Sequence, residues 1–468
     1  MLALDVCSCP PLPSGDMSVH WFESALLPQG WRKAVSLRIE GGLITEIRIG
    51  ASPGDADGRY AVGVAGLSNL HSHAFQRAMA GLAETAGPGP DDFWTWRNVM
   101  YRFLDRVDPD AFEAIAEFSY MEMLESGFTR VGEFHYLHRD GNGDAYQDPA
   151  ELCGRAAAAA ASSGIGLTLL PVLYAHANFG AAPPTPGQRR FVMDIEGFNR
   201  LLESARNHLR GLDGAVLGVA PHSLRAVSAE QLKAAIALLP TGPIHIHAAE
   251  QMKEVEDCVS ATGLRPVRWL VENCELDERW TIVHATHLDD GEIRELALSG
   301  AVAGLCPVTE ANLGDGIFHT REYALHGGAY GIGTDSNIRI DAAEELRALE
   351  YAQRLRRRSR NVLALSPGAS TGRTIFEAAA AGGARSLRGS TGCLRKGAPA
   401  DLVALDALHP ALLGRKDDAL LDSWIFAAGR EAIVAAWRHG RKVVSHGRHV
   451  NRPSIEARYR SVMSKLLG

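Results

Sequence analysis

From about residue 64 to residue 388, short apolar runs alternate with helical stretches, and this alternation constrains the fold more than any other feature of the chain. Alternating strands and helices are typical of βα units around a parallel sheet. Eight runs have strand character, at residues 63–69, 128–134, 166–173, 216–220, 244–248, 281–284, 301–305 and 329–334. Eight such units predict an α/β protein with a (β/α)8 barrel of TIM type, whose active site would lie at the C-terminal ends of the strands.

Both ends of the chain depart from this pattern, because they contain short strands joined by turns. Residues 35–39 and 44–49 flank Gly41 and Gly42, which predicts a hairpin. Strand character returns near the C-terminus, at residues 400–405, 432–437, 442–445 and 448–450. We therefore predict a small β-sandwich domain from residues 18–64 and 389–468, a barrel at residues 65–388, and a disordered N-terminal extension at residues 1–17, with Met17 as an alternative start.

The bulk properties exclude several classes of partner. A net charge of −7 and a pI near 6.2 give no electrostatic reason to bind nucleic acid or an anionic membrane. No run of 18 apolar residues is present, so no membrane span is expected. The seven cysteines are scattered, which favours reduced thiols in a cytoplasmic protein. A homodimer is expected because it is the commonest assembly of soluble enzymes.

Histidines recur at the C-terminal ends of the predicted strands. His71 and His73 follow the first strand, and a spacing of two on a strand points both side chains to one face. His245 and His247 repeat that spacing at the fifth strand. We choose His247 as a metal ligand because Glu250 follows just beyond the strand end, and we interpret His245 as a hydrogen-bonded core residue.

Two further strand ends carry polar side chains. His284 ends the sixth strand, and Asp335 follows the glycine-rich eighth strand. Asp335 alone could be a helix N-cap, but its coincidence with the other strand ends favours a metal ligand. No lysine ends the fourth strand, so a second metal bridged by a modified lysine is not expected. The predicted ligands suit one Zn²⁺, although Fe²⁺ or Mn²⁺ would accept the same set: His71, His73, His247 and Asp335.

These motifs, together with the strand segment at residues 397–406, resemble the amidohydrolase superfamily. Within it, residues 70–84, 94–97 and 132–138 are similar to the formimidoylglutamate deiminases of histidine degradation. The resemblance covers nearly all of the chain from about residue 18, and it shows no departure at the predicted metal ligands.

The resemblance implies hydrolysis of N-formimidoyl-L-glutamate to N-formyl-L-glutamate and ammonia. A zinc ion lowers the pKa of a bound water to about 7, which makes a nucleophile available near neutral pH. His284 and Asp335 would take the proton of that water and orient it, and Glu250 would protonate the imine nitrogen. Assistance of this kind is typically worth about 10²–10⁴-fold in rate.

The implied substrate carries two carboxylates, and arginine can hold a carboxylate through two parallel hydrogen bonds. By resemblance, Arg97 and Arg225 are these clamps. The resemblance also implies polar contacts to the substrate from Gln76, Tyr136, His222 and Ser336, for which packing behind the site is the alternative. Trp94 and Trp96 are interpreted as packing in a loop or wall of the site.

Two other functions stay open at this point. A deaminase of a purine or another ring amidine would use the same metal and the same glutamate, but it would not need two arginines. A barrel without catalytic activity, used for assembly or regulation, would be expected to lose metal ligands, and here all of them are present.

Overall fold

The computed structural model describes residues 17–89 and 91–468. The predicted N-terminal extension, apart from Met17, therefore lies outside the described residues. Within these ranges the chain forms seventeen strands: β1 (Ser18–Leu27), β2 (Gly30–Glu40), β3 (Leu43–Ile49), β4 (Gly58–Ala65), β5 (Leu67–Ser72), β6 (Phe128–His135), β7 (Gly166–Leu173), β8 (Val216–Leu217), β9 (Ala220–Pro221), β10 (Ile244–Ala248), β11 (Trp280–His284), β12 (Val302–Leu305), β13 (Ala329–Ile332), β14 (Leu402–Leu405), β15 (Ile433–Arg438), β16 (Arg441–Ser445) and β17 (Arg448–His449).

Helices occupy much of the rest of the described chain. The α-helices are α1 (Phe93–Leu104), α2 (Pro109–Glu125), α3 (Glu151–Ser163), α4 (Ile195–His208), α5 (Ala229–Ala237), α6 (Met252–Thr262), α7 (Pro266–Asn273), α8 (Asp290–Ser299), α9 (Pro307–Leu313), α10 (Thr320–Leu325), α11 (Ala342–Arg357), α12 (Thr371–Leu387), α13 (Asp418–Ser423) and α14 (Arg452–Leu467). Short 3₁₀ segments lie at Ala74–Met79, Pro186–Gln188 and Gly429–Ala432, and a π-helical turn lies at Trp424–Ala428.

The two ends of the chain meet in one eight-stranded sheet, in the order β17-β16-β15-β14-β4-β1-β2-β3. The predicted hairpin is present, because β2 pairs antiparallel with β3 and the turn glycines Gly41 and Gly42 adopt positive φ, which glycine does without steric cost. β4 pairs with β14, with Val64 opposite Val403. The sheet has its own hydrophobic core. The domain predicted as a sandwich is thus one continuous hydrogen-bonded sheet built from both chain ends.

The remaining strands form the predicted barrel. β5 to β8 pair parallel in chain order with β9 beside β7, and β10 to β13 form a second parallel arc. The arcs join through a bridge between Val219 and Ile244 at one seam and through a hydrogen bond from the Thr334 amide to the His71 carbonyl at the other. Every residue of β6 and β7 is buried, as expected for parallel strands covered on both faces.

The first barrel strand does not begin where the sequence predicted. Residues up to Ala65 extend β4 in the small sheet, and the barrel strand begins at Leu67. Gly66 lies between the two strands, and a Cβ atom there would collide with the side chain of Thr129. The prediction of a strand at residues 63–69 is wrong because both strands are buried and read as one apolar run. The fourth predicted strand is likewise divided, into β8 and β9.

Helix ends follow their capping residues. Ser228 and Gln231 form a capping box at the start of α5. The aromatic segment at residues 94–97, which we predicted as a loop, lies instead in the first turn of α1. The carboxylate of Asp92 accepts hydrogen bonds from the backbone amides of Trp94 and Thr95, so it begins this helix.

The C-terminal region contains a helix that the sequence pattern did not predict. α14 packs on the barrel helix α2, where the ring of Tyr459 stacks on Phe118 at a centroid distance of 4.0 Å and Arg452 pairs with Glu125. Only two residues of α14, Ile455 and Leu466, are buried. The helical period was therefore weak in the sequence.

Among the described residues, no helix is both long and apolar enough to cross a membrane. The cysteines described there carry free thiols, as the scattered pattern predicted: Cys153, Cys258, Cys274, Cys306 and Cys393. Cys7 and Cys9 lie outside the described residues.

Candidate metal centre and active site

The four predicted metal ligands converge at the C-terminal end of the barrel. Nε2 of His71 lies 3.3 Å from Oδ1 of Asp335, and Nε2 of His73 lies 3.2 Å from the same oxygen. Nε2 of His247 lies 3.1 Å from Nε2 of His71. All four side chains are buried, and their ligand atoms lie within 4.8 Å of one another. One ion of the size of zinc could therefore contact all four.

His73 and His247 are in the neutral form that can bind a cation. Nδ1 of His73 donates to the carbonyl of Phe134 at 2.9 Å, and Nδ1 of His247 donates to the carbonyl of His222 at 3.1 Å. Burial lowers the pKa of His73 to about 3 and that of His247 well below its usual value. Each Nε2 therefore carries a bare lone pair. The lone pairs of these nitrogens and the Asp335 carboxylate repel one another at these distances unless a cation lies between them. Histidines that bind metals also usually donate their other ring nitrogen to a backbone carbonyl, as His73 and His247 do.

The backbone at the centre is strained. His284 and Asp335 adopt φ of 65° and 41°, and Ala249 adopts 54°, in a region that residues with a side chain rarely occupy. Such conformations persist where the surrounding structure holds them, and they concentrate at functional sites. The side-chain amide of Asn337 donates to the carbonyl of His73 at 3.1 Å, so it ties the first ligand strand to the turn that carries Asp335.

Glu250 and His284, which the sequence predicted to handle protons, lie next to each other beside the four predicted ligands. Nε2 of His284 lies 3.6 Å from Oε1 of Glu250 and 4.0 Å from Oδ2 of Asp335. Burial raises the pKa of Glu250 to about 7. Burial acts to lower the pKa of His284, but the negative charges of Glu250, Glu310 and Asp335 outweigh it and raise that pKa well above 6.5. A pKa near 7 lets Glu250 exchange protons close to neutral pH, whereas a cation held by the neighbouring ligands would oppose the rise in the pKa of His284 and so favour its neutral, proton-accepting form.

A cavity opens above the metal centre, and the predicted residues dominate its lining. Ten of them line it: His73, Gln76, Arg97, Tyr136, His222, Arg225, His247, Glu250, His284 and Asp335. His71 lies fully buried beneath it. Aromatic side chains, including Tyr174 and Phe191, complete the wall. The structure thus brings together parts of the chain that are far apart in sequence.

Arg97 and Arg225 both reach this cavity, and among the described residues neither has an ion-pair or hydrogen-bond partner. The Nε atoms of both are buried without a partner. The guanidinium carbons of Arg97 and Arg225 lie 4.5 Å and 5.6 Å from the centroid of the Trp94 ring, so the same indole stacks against both cations. Unpaired buried cations are costly, and an anionic ligand would remove that cost.

Three other residues predicted to contact the substrate, Gln76, Tyr136 and His222, line the same cavity, and two of them bond to each other. Nε2 of Gln76 donates to the hydroxyl of Tyr136 at 2.9 Å, while Oε1 of Gln76 is buried without a partner. Nδ1 of His222 lies 3.0 Å from the hydroxyl of Ser223. Burial, followed by the charge of Arg225, lowers the pKa of His222 well below its usual value, so the ring is neutral.

Ser336 differs from the other predicted residues. Its hydroxyl lies 3.0 Å from Oγ1 of Thr309, and it lines a separate small cavity beside Gln76 rather than the one above the metal centre. Thr309 lies in α9, so the Ser336 hydroxyl contacts that helix rather than the cavity above the metal centre.

Sequence reasoning missed two carboxylates that hold the reactive pair. Oε1 of Glu310, in α9, lies 3.3 Å from Nδ1 of His284. Glu254, in α6, accepts hydrogen bonds from the backbone amides of Ala249 and Glu250, so it fixes the turn that carries Glu250. Both lie in the first turn of a helix that follows a barrel strand. That position was the available signal, but it equally indicates a residue that stabilises the helix N-terminus.

Comparison with known proteins agrees with this architecture. A family model described as "Amidohydrolase family" matches residues 62–445, and one described as "Formimidoylglutamate deiminase HutF, N-terminal domain" matches residues 17–61. Formimidoylglutamate deiminase of Pseudomonas aeruginosa is 49% identical over 456 residues, which cover 96% of this chain and 100% of the relative. 8-Oxoguanine deaminase of the same organism is 29% identical over 446 residues, which cover 90% of this chain and 94% of that protein.

A solved structure is also similar. The crystal structure of an amidohydrolase from Brucella melitensis has a TM-score of 0.93 and 50% sequence identity, and the match covers 97% of this chain and 100% of that one. The barrel, the histidine and aspartate cluster and the family match together define a hydrolase of the amidohydrolase family. More narrowly, the chain belongs to the formimidoylglutamate deiminase family. The family and the class of enzyme predicted from the sequence, a hydrolase of C–N bonds, are confirmed.

Proposed function

We propose that this protein hydrolyses N-formimidoyl-L-glutamate to N-formyl-L-glutamate and ammonia. The observation that carries the proposal is the pair of unpartnered arginines, Arg97 and Arg225, in the cavity above the metal centre. The substrate has an amidine at one end and two carboxylates at the other. The cavity offers a hydrolytic centre and a cationic wall, which match these two ends.

The ion proposed for the centre is a single Zn²⁺, held by His71, His73, His247 and Asp335. Three imidazoles and one carboxylate suit zinc, and Fe²⁺ or Mn²⁺ would accept the same ligands. When bound, such an ion lowers the pKa of water and supplies a nucleophile at neutral pH. The bare Nε2 lone pairs of His73 and His247 support this assignment.

The residues of the chain then move the protons. Asp335 and His284 accept the proton of the attacking water and orient its oxygen toward the formimidoyl carbon. As the water oxygen bonds to the carbon, Glu250 gives the terminal nitrogen its first proton and the C=N double bond becomes a single bond. Glu250 then takes the proton of the hydroxyl group left on the carbon and passes it to the same nitrogen, so the C–N bond breaks, ammonia leaves and the carbon keeps the oxygen as a formyl group. The proton held by Asp335 and His284 returns to Glu250 and restores the starting state. A pKa near 7 for Glu250 supports its role as the acid.

Arg97 and Arg225 bind the two carboxylates and so place the amidine over the centre. Each guanidinium can give two parallel hydrogen bonds to a carboxylate. Gln76, Tyr136 and His222 line the wall between the arginines and the metal ligands, where they contact the polar atoms of the chain that joins the two ends of the substrate.

The direct test is ammonia release by the zinc-loaded protein from N-formimidoyl-L-glutamate, guanine and 8-oxoguanine, each over a range of concentrations. We expect turnover with the first substrate and none with the two purines. Ammonia from a purine alone would replace the proposal with a ring deaminase, which the relative that is 29% identical represents. No ammonia from any of the three, with metal bound, would support a barrel without this activity.

A further inference from the structure

A second cluster of potential metal ligands lies on the opposite side of β6 from the active site. It consists of His135 at the end of β6, His138 in the following loop and Cys153 in the first turn of α3, and their ligand atoms lie within 4.8 Å of one another. The three side chains are between 1% and 4% exposed. Phe134 faces the active-site histidines, whereas His135 faces Phe112 of α2 at a ring distance of 5.1 Å, because neighbouring residues on a strand point to opposite faces.

The hydrogen bonding of these histidines is incomplete. Nε2 of His138 lies 2.9 Å from the carbonyl of Val172 and donates to it, so Nδ1 carries a bare lone pair, and that atom is buried without a partner. Neither ring nitrogen of His135 has a well-aligned hydrogen-bond partner, although the backbone of Leu137 lies close to the ring. A buried polar atom without a partner destabilises the folded protein, because it has lost its hydrogen bonds to water and gained none.

This pattern matches that of the metal centre described above. His73 and His247 also donate one ring nitrogen to a backbone carbonyl and turn the other toward the ligand cluster. Metal-binding histidines usually show this arrangement, because the backbone bond fixes both the tautomer and the direction of the ring. His138 has the same arrangement, and its ring lies beside the His135 ring at a centroid distance of 5.4 Å and in the same cluster as the Cys153 thiol.

We propose that His135, His138 and Cys153 bind a second metal ion, a soft d¹⁰ cation (Zn²⁺ or Cu⁺), through two imidazole nitrogens and one thiolate. Thiolate and imidazole ligands select these ions. On binding, the S–H bond of Cys153 breaks, a sulfur–metal bond forms and the proton leaves to solvent, so no oxidant or reductant is required. Ligand atoms around such an ion lie about 3.3–3.8 Å apart, which side-chain rotation reaches from the present positions.

The site would connect two parts of the molecule. It links the end of β6 and its loop to α3, and the segment between the two histidines carries Tyr136 into the active-site cavity. An ion that binds the folded protein and not the unfolded chain raises the free energy of unfolding. Occupation of the site would therefore raise the melting temperature as well as the metal content.

The test is metal titration of the full-length protein after chelation, with Zn²⁺ alone and, anaerobically, with Cu⁺ alone. We expect two tightly bound equivalents of Zn²⁺ per chain if the second ion is zinc, or one of Zn²⁺ and an additional tight Cu⁺ if it is copper. The variants Cys153→Ser and His138→Gln should each lose the second equivalent and keep the first. A wild-type protein that binds one equivalent in total, with no additional Cu⁺, would overturn the proposal.

Controls assign the ion to this cluster. Cys258→Ser removes another buried thiol that belongs to neither ligand cluster and should keep both equivalents. Cobalt substitution adds a second readout, since thiolate ligation gives a charge-transfer absorption that imidazole and carboxylate ligands do not. That band should vanish in Cys153→Ser. It should persist in Cys306→Ala, whose thiol lies near His284, and in a variant with Cys7 and Cys9 replaced by Ser. If Cys153→Ser fails to fold, absence of the band in the wild-type protein would by itself refute the site.

Discussion

The two ends of the active-site cavity are built in different ways. At the metal end, His73 and Asp335 lie at barrel strand ends, are buried, and are fixed by backbone hydrogen bonds and a strained backbone. At the arginine end, Arg97 lies in α1, is half-buried, and stacks on Trp94 without a hydrogen bond. The comparison indicates that the proposed chemistry is held by the barrel strand ends, whereas the proposed carboxylate clamp also depends on helix α1, which carries Arg97. The metal end should therefore control kcat, and the arginine end should control KM.

Metal removal should have the largest effect. A chelator is expected to reduce ammonia release from formimidoylglutamate to the background rate, because the remaining residues have no means to activate water near pH 7. Zn²⁺ added back should restore activity, with the active-site ion measured by elemental analysis. Full activity in a protein shown to be free of metal would contradict the assignment of the chemical step to the metal end of the cavity.

Replacement of the proposed acid should have the next largest effect. We expect Glu250→Gln to lower kcat by about 10²–10⁴-fold and to leave KM and metal content near their wild-type values, because an amide cannot give up a proton. Steady-state kinetics and metal analysis measure all three quantities. Equal kcat in the variant would exclude Glu250 as the proton donor.

The same residue sets a pH dependence. Glu250 acts while it is protonated, and its pKa is raised to about 7, so kcat/KM should fall as the pH rises through about 7. Lower pH keeps the proton on Glu250, so this loss should appear on the alkaline side. The alkaline limb should be absent from the residual activity of Glu250→Gln, and its persistence there would assign the limb to another group.

Loss of an arginine should mainly raise KM. A hydrogen bond to a charged group contributes about 1.5–3 kcal/mol, so Arg225→Ala is expected to lower kcat/KM by about 10- to 150-fold. Arg97→Ala should have a smaller effect, because Arg97 is half-buried and Arg225 is fully buried. Arg102→Ala, an exposed position of the same helix as Arg97, is the matched control and should match the wild type. A change confined to kcat in both cavity variants would contradict the clamp.

The smallest effect is expected at the indole between the two arginines. An interaction of a cation with an aromatic face at a partly exposed site is worth about 0.5–1 kcal/mol, so Trp94→Leu should raise KM by about 2- to 5-fold. The double variant with Arg97→Ala should fall short of the sum of the two free-energy changes, because both remove the same contact. Additive changes would show that Trp94 acts independently of Arg97.

The two ends also differ in how far the sequence predicted them. The residues proposed as ligands and acid could be predicted to meet because barrel strands place their C-terminal ends on one face, so residues such as His71 and Asp335 come together whatever the loops do. The arginines were identified by resemblance to a family, and the structure brings both to the cavity. The segment that carries Arg97 was wrongly predicted as a loop, since the cap provided by Asp92 was overlooked.

The errors share a physical cause. The boundary between β4 and β5 was misplaced because Gly66 permits a change of sheet inside an apolar run, and the run itself carries no mark of that change. Ser336 follows a metal ligand in sequence, but the strained turn at Asp335 directs its hydroxyl to Thr309. In both cases a contact with a distant segment decided the outcome.

The sequence by itself determined the barrel and the meeting of His71, His73, His247 and Asp335 at one end of it, because strand period and strand order bring those residues together without reference to side-chain packing. It determined the family through the motifs that the chain shares with it. Only the tertiary structure decided that Glu310 holds His284, that one indole stacks against both arginines, and that His135 and His138 meet Cys153 on the outer side of a strand. These contacts join segments that local patterning does not relate, and they exist only once helices pack against the barrel.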